Sequence, residues 1–149
     1  MSLAGQEGGN ALADILSGAA TPSGKLTQTW AADYSDYPAS KTFGTNAGDG
    51  KQVNYGEGIY VGYRHFDSFN IKPAYEFGYG LSYTDFDMEV RKVSIDKEAI
   101  TVQACVTNKG SKYSGREVVQ VYFSAPEGSL DKPYQSLIAF GKTEELKAE

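Results

Sequence analysis

The sequence has few of the residues from which metal and redox sites are built. Cys105 is its only cysteine and His65 its only histidine among 149 residues. One cysteine cannot form an intrachain disulfide, and these two residues cannot supply a zinc site or a histidine-based catalytic triad. We therefore predict no metal site and no cofactor. Without a serine or cysteine motif nearby, His65 is expected to be an ordinary packed or surface imidazole.

Long hydrophobic runs and basic clusters are also lacking. No apolar run approaches the ~20 residues of a membrane span, and no charged segment precedes an apolar stretch as in a signal peptide. Lys and Arg number 14 against 19 Asp and Glu, which gives a net charge of −5 with the basic residues scattered. We therefore expect neither a membrane nor a nucleic acid as partner. Cytoplasmic and secreted locations both stay open.

Glycine and tyrosine are abundant, at 17 and 11 residues, which indicates many turns and half-exposed aromatic surfaces. In the first half of the chain, apolar spacing predicts one short helix over residues 8–17, ended by Gly18 as its C-terminal cap. Residues 25–30 are predicted to form a strand. Residues 31–58 have no period and predict a long loop, and residues 59–67 form a short aromatic and β-branched segment.

Alternation with a period of two dominates the second half. It predicts strands over residues 86–95, 100–107 and 118–123, with a bulge near Arg91 and Lys92 in the first, and a fourth candidate strand at 136–140. Because alternate side chains point to opposite faces, one set should be buried and the other exposed. The predicted buried set is Val102, Ala104, Val106, Val119, Val121 and Phe123, and the exposed set is Thr101, Gln103 and Gln120.

Five blocks of the sequence resemble glycoside hydrolase family 3 of the β-glucosidase type, in the family's order and spacing. They are GQEGGNALADILSG with PSGKL (5–26), YGEGIYVGYRHFD (55–67), EFGYGLSYTDF (76–86), VTNKGSKYSGREVVQVYFSAPEG (106–128) and KPYQSLIAFGKT (132–143). The resemblance implies a mainly β fold. That fold would be a partial fibronectin type III-like (immunoglobulin-like) β-sandwich, preceded by a short helix-strand remnant of an α/β domain and a long aromatic loop.

The same resemblance implies a division of the chain. Residues 1–3 are expected to be a cloning leader, and residues 4–40 the C-terminal remnant of an α/β sandwich domain. Residues 41–80 are expected to be a linker or loop segment. Residues 81–149 would form the N-terminal part of the fibronectin type III-like domain.

The family's catalytic residues have no counterpart in these blocks. Retaining glycosidases use two carboxyl groups about 5–5.5 Å apart. The family's nucleophile is an Asp, usually just before a Trp, in a separate (β/α)8 barrel, whereas the only tryptophan here, Trp30, follows Thr29. The family's acid/base Glu lies upstream of the first block. The resemblance therefore implies a non-catalytic fragment of a parent that hydrolyses β-linked glucosides or related sugars, with carbohydrate as the parent's partner.

Four residues in the matched blocks are candidates for lying near substrate in the parent, namely Glu7, Tyr55, Glu57 and Arg64. The alternative for Glu7 is a carboxylate that the helix dipole favours at an N-terminus. The alternative for Arg64 is an ion pair with an acidic neighbour that fixes the linker segment.

Two other interpretations of the chain stay open. It could be a glycan-binding module or a structural or adhesion β-sandwich, since Tyr75, Tyr79 and Tyr83 could either stack on sugars or cover a sheet surface. With three or four strands where a sandwich uses about seven, exposed strand edges could also pair two copies into a homo-oligomer.

Overall fold

The computed structural model describes residues 4–43 and 55–149. This part contains helices α1 (Gly8–Ser17) and α2 (Tyr63–Ser68) and a 3-10 helix (Tyr34–Asp36). Its strands are β1 (Phe86–Ile95), β2 (Ile100–Asn108), β3 (Val118–Phe123) and β4 (Ser136–Lys142). β1 pairs with β2 and β3 with β4, which gives two antiparallel sheets of two strands each. The predicted mainly β fold class is confirmed at this level. The expected leader at residues 1–3, and residues 44–54 of the expected loop, lie outside the described residues.

The described chain divides into two compact units. The first unit contains the residues up to Gly24 together with 80–119 and 141–149. The second unit contains 25–79 and 120–140. The boundary therefore falls within β3 and within β4, so neither unit is one continuous stretch of chain.

In the first unit, α1 and the β1–β2 hairpin follow the sequence pattern closely. Gly18 ends α1 in the left-handed conformation, with φ +78°. Its N–H donates to the Ile15 carbonyl at 3.0 Å, as a glycine cap does. β1 and β2 pair from Phe86 opposite Asn108 to Ile95 opposite Ile100, with the register shifted between residues 90 and 92. The predicted cap and the predicted bulge are both confirmed.

A buried polar cluster lies at the end of β2 in the first unit. Asn108 is only 2% exposed. Its Oδ1 accepts hydrogen bonds from Thr84 Oγ1 at 2.5 Å and from the Gly110 N–H at 3.0 Å. Its Nδ2 donates to the carbonyls of Tyr113 at 2.9 Å and Leu146 at 3.1 Å. One amide side chain thus joins three segments of the unit, namely the chain before β1, the turn after β2 and the C-terminal stretch, and both of its own polar atoms are satisfied.

The predicted strand over residues 25–30 is wrong. The segment pairs with residues 74–79 only near its two ends. Leu26 exchanges backbone hydrogen bonds with Tyr79 and Gly78, and Trp30 forms an isolated antiparallel bridge with Tyr75. Residues 27 and 28 bend between these points. Because the bend interrupts the ladder, no continuous strand forms.

The predicted burial of the alternating strand positions is also wrong. Phe123 is 44% exposed and Ala104 is exposed, whereas Val102, Val106, Val119 and Val121 are half-buried. Thr101 and Gln103 are exposed as predicted, but Gln120 is half-buried like its neighbours. Alternation specifies which side chains share a face, and it does not supply a layer to cover that face. Within the described residues Phe66 is the only buried hydrophobic side chain.

Phe66 lies on α2 in the second unit and is surrounded by aromatic rings. Tyr37 meets it edge to face at 6.0 Å between ring centroids, and His65 does so at 5.6 Å. The His65 Nε2 atom lies 3.1 Å from the Asp36 carbonyl oxygen. His65 is thus half-buried and packed, which is one of the two placements expected for it. The helix begins after Gly62, whose φ of +59° and ψ of −133° suit glycine alone.

Candidate functional site

The four candidate substrate-adjacent residues do not form a cluster of bonded side chains. Glu7 lies in the first unit, and Tyr55, Glu57 and Arg64 lie in the second. Tyr55 is 91% exposed, and Glu57 and Arg64 are half-buried. In residues 4–43 and 55–149, no hydrogen bond, ion pair or ring contact joins any two of these four side chains.

Glu7 and Arg64 have local partners. Glu7 stands at the N-terminal end of α1, where its Oε2 accepts a hydrogen bond from Asn10 Nδ2 at 2.7 Å. The arginine guanidinium lies 5.9 Å from the centroid of the neighbouring Tyr63 ring. Both contacts resemble ordinary stabilising interactions of a helix end and of an aromatic surface. The substrate-adjacent role of the four residues therefore remains a proposal.

The structure instead brings α2 together with residues 131–137 in the second unit. Tyr60 Oη donates to Asp131 at 2.5 Å, and this hydrogen bond is the main reason that the pKa of Tyr60 is raised. Gln135 Nε2 donates to Asp67 Oδ2 at 2.9 Å. The Leu137 N–H donates to Tyr63 Oη at 2.8 Å. These partners are about seventy residues apart, so no local sequence signal could have predicted the pairing.

A pocket of about 210 Å³ opens between these segments, and every residue that lines it belongs to the second unit. Its inner wall includes Thr29, which is 5% exposed, and Phe66, which is 1% exposed. The carboxylates of Asp67 and Glu76 are on its exposed side. Among the described residues, Thr29 Oγ1 is the one buried side-chain polar atom without a hydrogen-bond partner.

The pKa of Tyr122 is affected by its surroundings in this pocket. Burial raises the pKa of Tyr122, and the nearby charges of Tyr63, Asp67 and Glu76 raise it further. Its Oη donates to Gln120 Oε1 at 2.7 Å. The pocket is therefore negative on its open side and hydrogen-bonding along its wall.

The three tyrosines that could stack on sugars or cover a sheet are divided between the two units. Tyr75 and Tyr79 lie in the second unit with ring centroids 4.9 Å apart. Tyr83 lies in the first unit, where its ring is 5.6 Å from that of Tyr113 and its Oη donates to the Ile15 carbonyl at 2.7 Å. This hydrogen bond attaches α1 to the chain before β1, which is a structural role.

In the described parts of the chain, no group of three or more His, Cys, Asp or Glu side chains is placed to hold a metal ion. Within the same residues, no helix has the length and apolar character needed to cross a membrane.

Comparison with known proteins finds that the chain is similar to part of several β-glucosidases. The model of the glycosyl hydrolase family 3 C-terminal domain matches residues 1–63. A β-glucosidase from Kluyveromyces marxianus is 43% identical over 138 residues, which cover 93% of this chain and 16% of that protein. A structure of the same organism's β-glucosidase in complex with glucose has a TM-score of 0.88 at 42% identity, covering 95% of this chain and 17% of that one.

The solved structure of β-glucosidase 3B from Thermotoga neapolitana in complex with glycerol has a TM-score of 0.89 at 49% identity. It covers 97% of this chain, which in turn covers 20% of that protein. The chain thus spans a fifth or less of the length of these relatives. Since the similarity runs through almost the whole chain at 42–49% identity, the chain belongs to glycoside hydrolase family 3.

Proposed function

We propose that this chain is a non-catalytic segment of a retaining glycosidase that hydrolyses β-linked glucosides or related sugars. The observation that carries the proposal is the match of 93–97% of this chain to a fifth or less of proteins named as β-glucosidases. Retaining hydrolysis needs a nucleophilic carboxylate and an acid/base carboxyl about 5–5.5 Å apart. The family resemblance assigns neither of them to this chain, so the segment contributes structure to the parent and not the reacting groups.

The proposal includes a division of the chain. Residues 4–40 would be the end of an α/β sandwich domain and residues 81–149 the first part of a fibronectin type III-like domain, with 41–80 as the segment between them. In the complete enzyme the aromatic block around α2 would then connect the domain that carries the acid/base residue to the β-sandwich.

A segment exchange tests the proposal. This chain replaces the matched segment of the Thermotoga neapolitana enzyme, and release of nitrophenol from an aryl β-glucoside is measured. We expect the chimera to be active, the enzyme lacking the segment to be inactive, and the 149-residue chain alone to be inactive. A folded but inactive chimera, or activity of the isolated chain that persists on repurification, would contradict the proposal.

We also propose that Glu7, Tyr55, Glu57 and Arg64 lie near substrate in the parent, and the same chimera tests this at Glu57 and Arg64. If Glu57 and Arg64 contact substrate, Glu57→Gln and Arg64→Lys should raise KM about fivefold or more, since one lost hydrogen bond is worth about 1 kcal/mol. Glu98→Gln, at an exposed position of the β1–β2 turn, is the matched control. Unchanged KM in both variants would assign these two residues to structure.

We also propose that two isolated copies associate through their strands. Among the described residues, Val93, Ile95, Ile100, Ile138 and Phe140 are all more than half exposed. Strands in two-stranded sheets each keep one free edge, which is a template for pairing with another chain. Light scattering at micromolar concentration should give a mass near twice 16.1 kDa. A mass of one chain at every concentration tested would rule association out.

A further inference from the structure

The β1–β2 hairpin indicates which strand edge two associated copies share. We propose that the copies pair through the outer edge of β2, with the two β2 strands antiparallel around a two-fold axis at Gln103. The two hairpins then form one four-stranded sheet with the β2 strands at its centre. This inference rests on the association proposed above, and it adds the partner strand and the register.

The outer edge of β2 is accessible to another chain. β2 pairs with β1 on one side only. Ile100, Thr101, Gln103 and Ala104 are all exposed. Among the described residues of the first unit, no hydrogen bond other than those to β1 reaches the backbone of residues 100–106. The N–H and C=O groups on the far side of the strand are therefore available to a second strand.

β2 has none of the features that protect a free strand edge. Natural proteins blunt such edges with charged side chains, with proline or with bulges. The sequence of β2, ITVQACVTN, contains no charged residue, no proline and no glycine. The extra residue of the bulge lies in β1 and not in β2. A second β2 strand can therefore approach without meeting a like charge or an interruption of the backbone.

The other three strands are less suited to pairing. β1 has the bulge between residues 90 and 92 and four charged side chains, namely Asp87, Glu89, Arg91 and Lys92. In β3 the Val118 N–H donates to Glu117 Oε1 at 2.6 Å, and in β4 the Leu137 N–H donates to Tyr63 Oη at 2.8 Å. A backbone N–H that already donates to a side chain is not free to pair with another chain.

Pairing β2 with itself also matches the two faces of the hairpin. Residues opposite each other in an antiparallel pair share a face. One face is apolar throughout, because the register joins Met88 to Val106, Val90 to Ala104, Val93 to Val102 and Ile95 to Ile100. A two-fold axis through a residue sets apolar side chains beside apolar ones. A two-stranded hairpin is marginal in water, whereas more strands with an apolar face are stable.

The accessible length of β2 sets the register. At its C-terminal end Asn108 is 2% exposed, and its amide is bonded to the carbonyls of Tyr113 and Leu146. The accessible edge therefore runs over residues 100–106, and its midpoint is Gln103. In this register the two Gln103 side chains lie opposite each other.

Cysteine cross-linking of the full 149-residue chain tests the strand and the register. Gln103→Cys and the control Lys92→Cys are each made in a Cys105→Ser background, because these two positions are paired on one face of the hairpin. Opposed Cα atoms of antiparallel strands lie about 4.5–5.5 Å apart, within the range of a disulfide. With diamide as oxidant, Gln103→Cys should form covalent dimers about tenfold faster than Lys92→Cys, since pairing raises the effective concentration of its thiols. Equal rates, or faster cross-linking of Lys92→Cys, would overturn the proposal.

A charge at the same position tests the pairing by light scattering over a dilution series. Gln103→Lys sets two ammonium groups opposite each other, which should raise the dissociation constant of the dimer about tenfold or more. The control Ser94→Lys adds the same charge to the same face of β1 and should leave that constant unchanged. Both positions are exposed, so the circular dichroism spectra should not change.

The two measurements distinguish failure of the β2 pairing from failure of the association. If Gln103→Lys keeps the dissociation constant of the unsubstituted dimer, the copies associate but not through the β2 edge. If the unsubstituted chain has the mass of one copy at every concentration, the association and the β2 pairing are both overturned.

Discussion

Asn108→Ala should be among the most destabilising substitutions in the first unit. The side chain is 2% exposed and makes four hydrogen bonds, two as acceptor and two as donor. Each net hydrogen bond contributes about 1 kcal/mol, and buried partners left unpaired add a desolvation cost. The expected loss in free energy of unfolding is therefore about 3–5 kcal/mol. That is a large part of the roughly 5–15 kcal/mol typical of a folded domain.

Urea titration followed by circular dichroism measures this loss. It is run at two protein concentrations so that association is not mistaken for stability. Gln103→Ala is the matched control, because it removes an exposed amide from the same strand and should change the free energy by about 0.5 kcal/mol or less. A loss below about 1 kcal/mol for Asn108→Ala would show that the four hydrogen bonds do not hold these segments together.

A second variant divides the loss between acceptor and donor. Asn108→Asp keeps both acceptor contacts but removes the two N–H donors and turns an oxygen toward the carbonyls of Tyr113 and Leu146. At neutral pH a buried carboxylate facing carbonyl oxygens is unfavourable, so the loss should equal or exceed that of Asn108→Ala. The same stability for Asn108→Asp as for the unsubstituted chain would refute the assignment of the amide nitrogen as donor.

Three further predictions follow from other parts of the chain. Phe123→Ala should cost only about 1 kcal/mol in a denaturant titration, because the ring is 44% exposed, whereas Phe66→Ala should cost about 3–5 kcal/mol; equal losses would contradict the burial pattern. Gly78→Ala should lower the free energy of unfolding by about 1–3 kcal/mol, because the φ of Gly78 is +85° and the new Cβ would lie 2.5 Å from Gln120 Nε2. An unchanged free energy of unfolding in the same titration would refute this. The Asp96 carboxylate accepts hydrogen bonds from two backbone N–H groups, and these bonds hold its pKa below the ordinary value of 3.8. Its stabilisation of the β1–β2 turn is therefore fully present above pH 3.8 and is lost as the pH falls through the lower pKa of the folded state. A titration of the turn amides by NMR that gave an unshifted or raised pKa would contradict it.

Local sequence patterns predicted where helices and strands form better than they predicted how those elements pair and which side chains they bury. α1 with its Gly18 cap and the four strands could be derived, because apolar periodicity and turn residues are encoded within ten or so positions. The prediction of a strand over residues 25–30 failed because a two-residue bend interrupts the pairing of this segment. That pairing depends on a partner some fifty residues away in the sequence. Helix α2 follows Gly62 in a segment whose aromatic composition does not predict a helix.

The candidate site was the least predictable part. Glu7 and Arg64 were selected from matched blocks, and each contacts a residue no more than three positions away in the sequence. The polar pocket of the second unit depends on Thr29, Glu76 and Tyr122, which come from three separate segments. None of them is unusual in its own stretch of sequence, and only the fold brings them together. The prediction of buried strand positions failed for the same reason, since the alternation around Phe123 does not show whether another layer covers its face of the strand.

The attachment of α2 to residues 131–137 has a consequence for the time course of folding. Its hydrogen bonds join positions 68–74 residues apart, whereas the β1–β2 hairpin lies entirely in the chain between them and pairs across a short turn. Closing a long loop costs more entropy than closing a short one, and non-local contacts slow folding. During synthesis the hairpin can form as soon as residue 108 is available, but the pocket beside α2 must wait for residue 137. The pocket therefore forms after the hairpin, and its aromatic side chains are accessible to other molecules until residue 137 has been made.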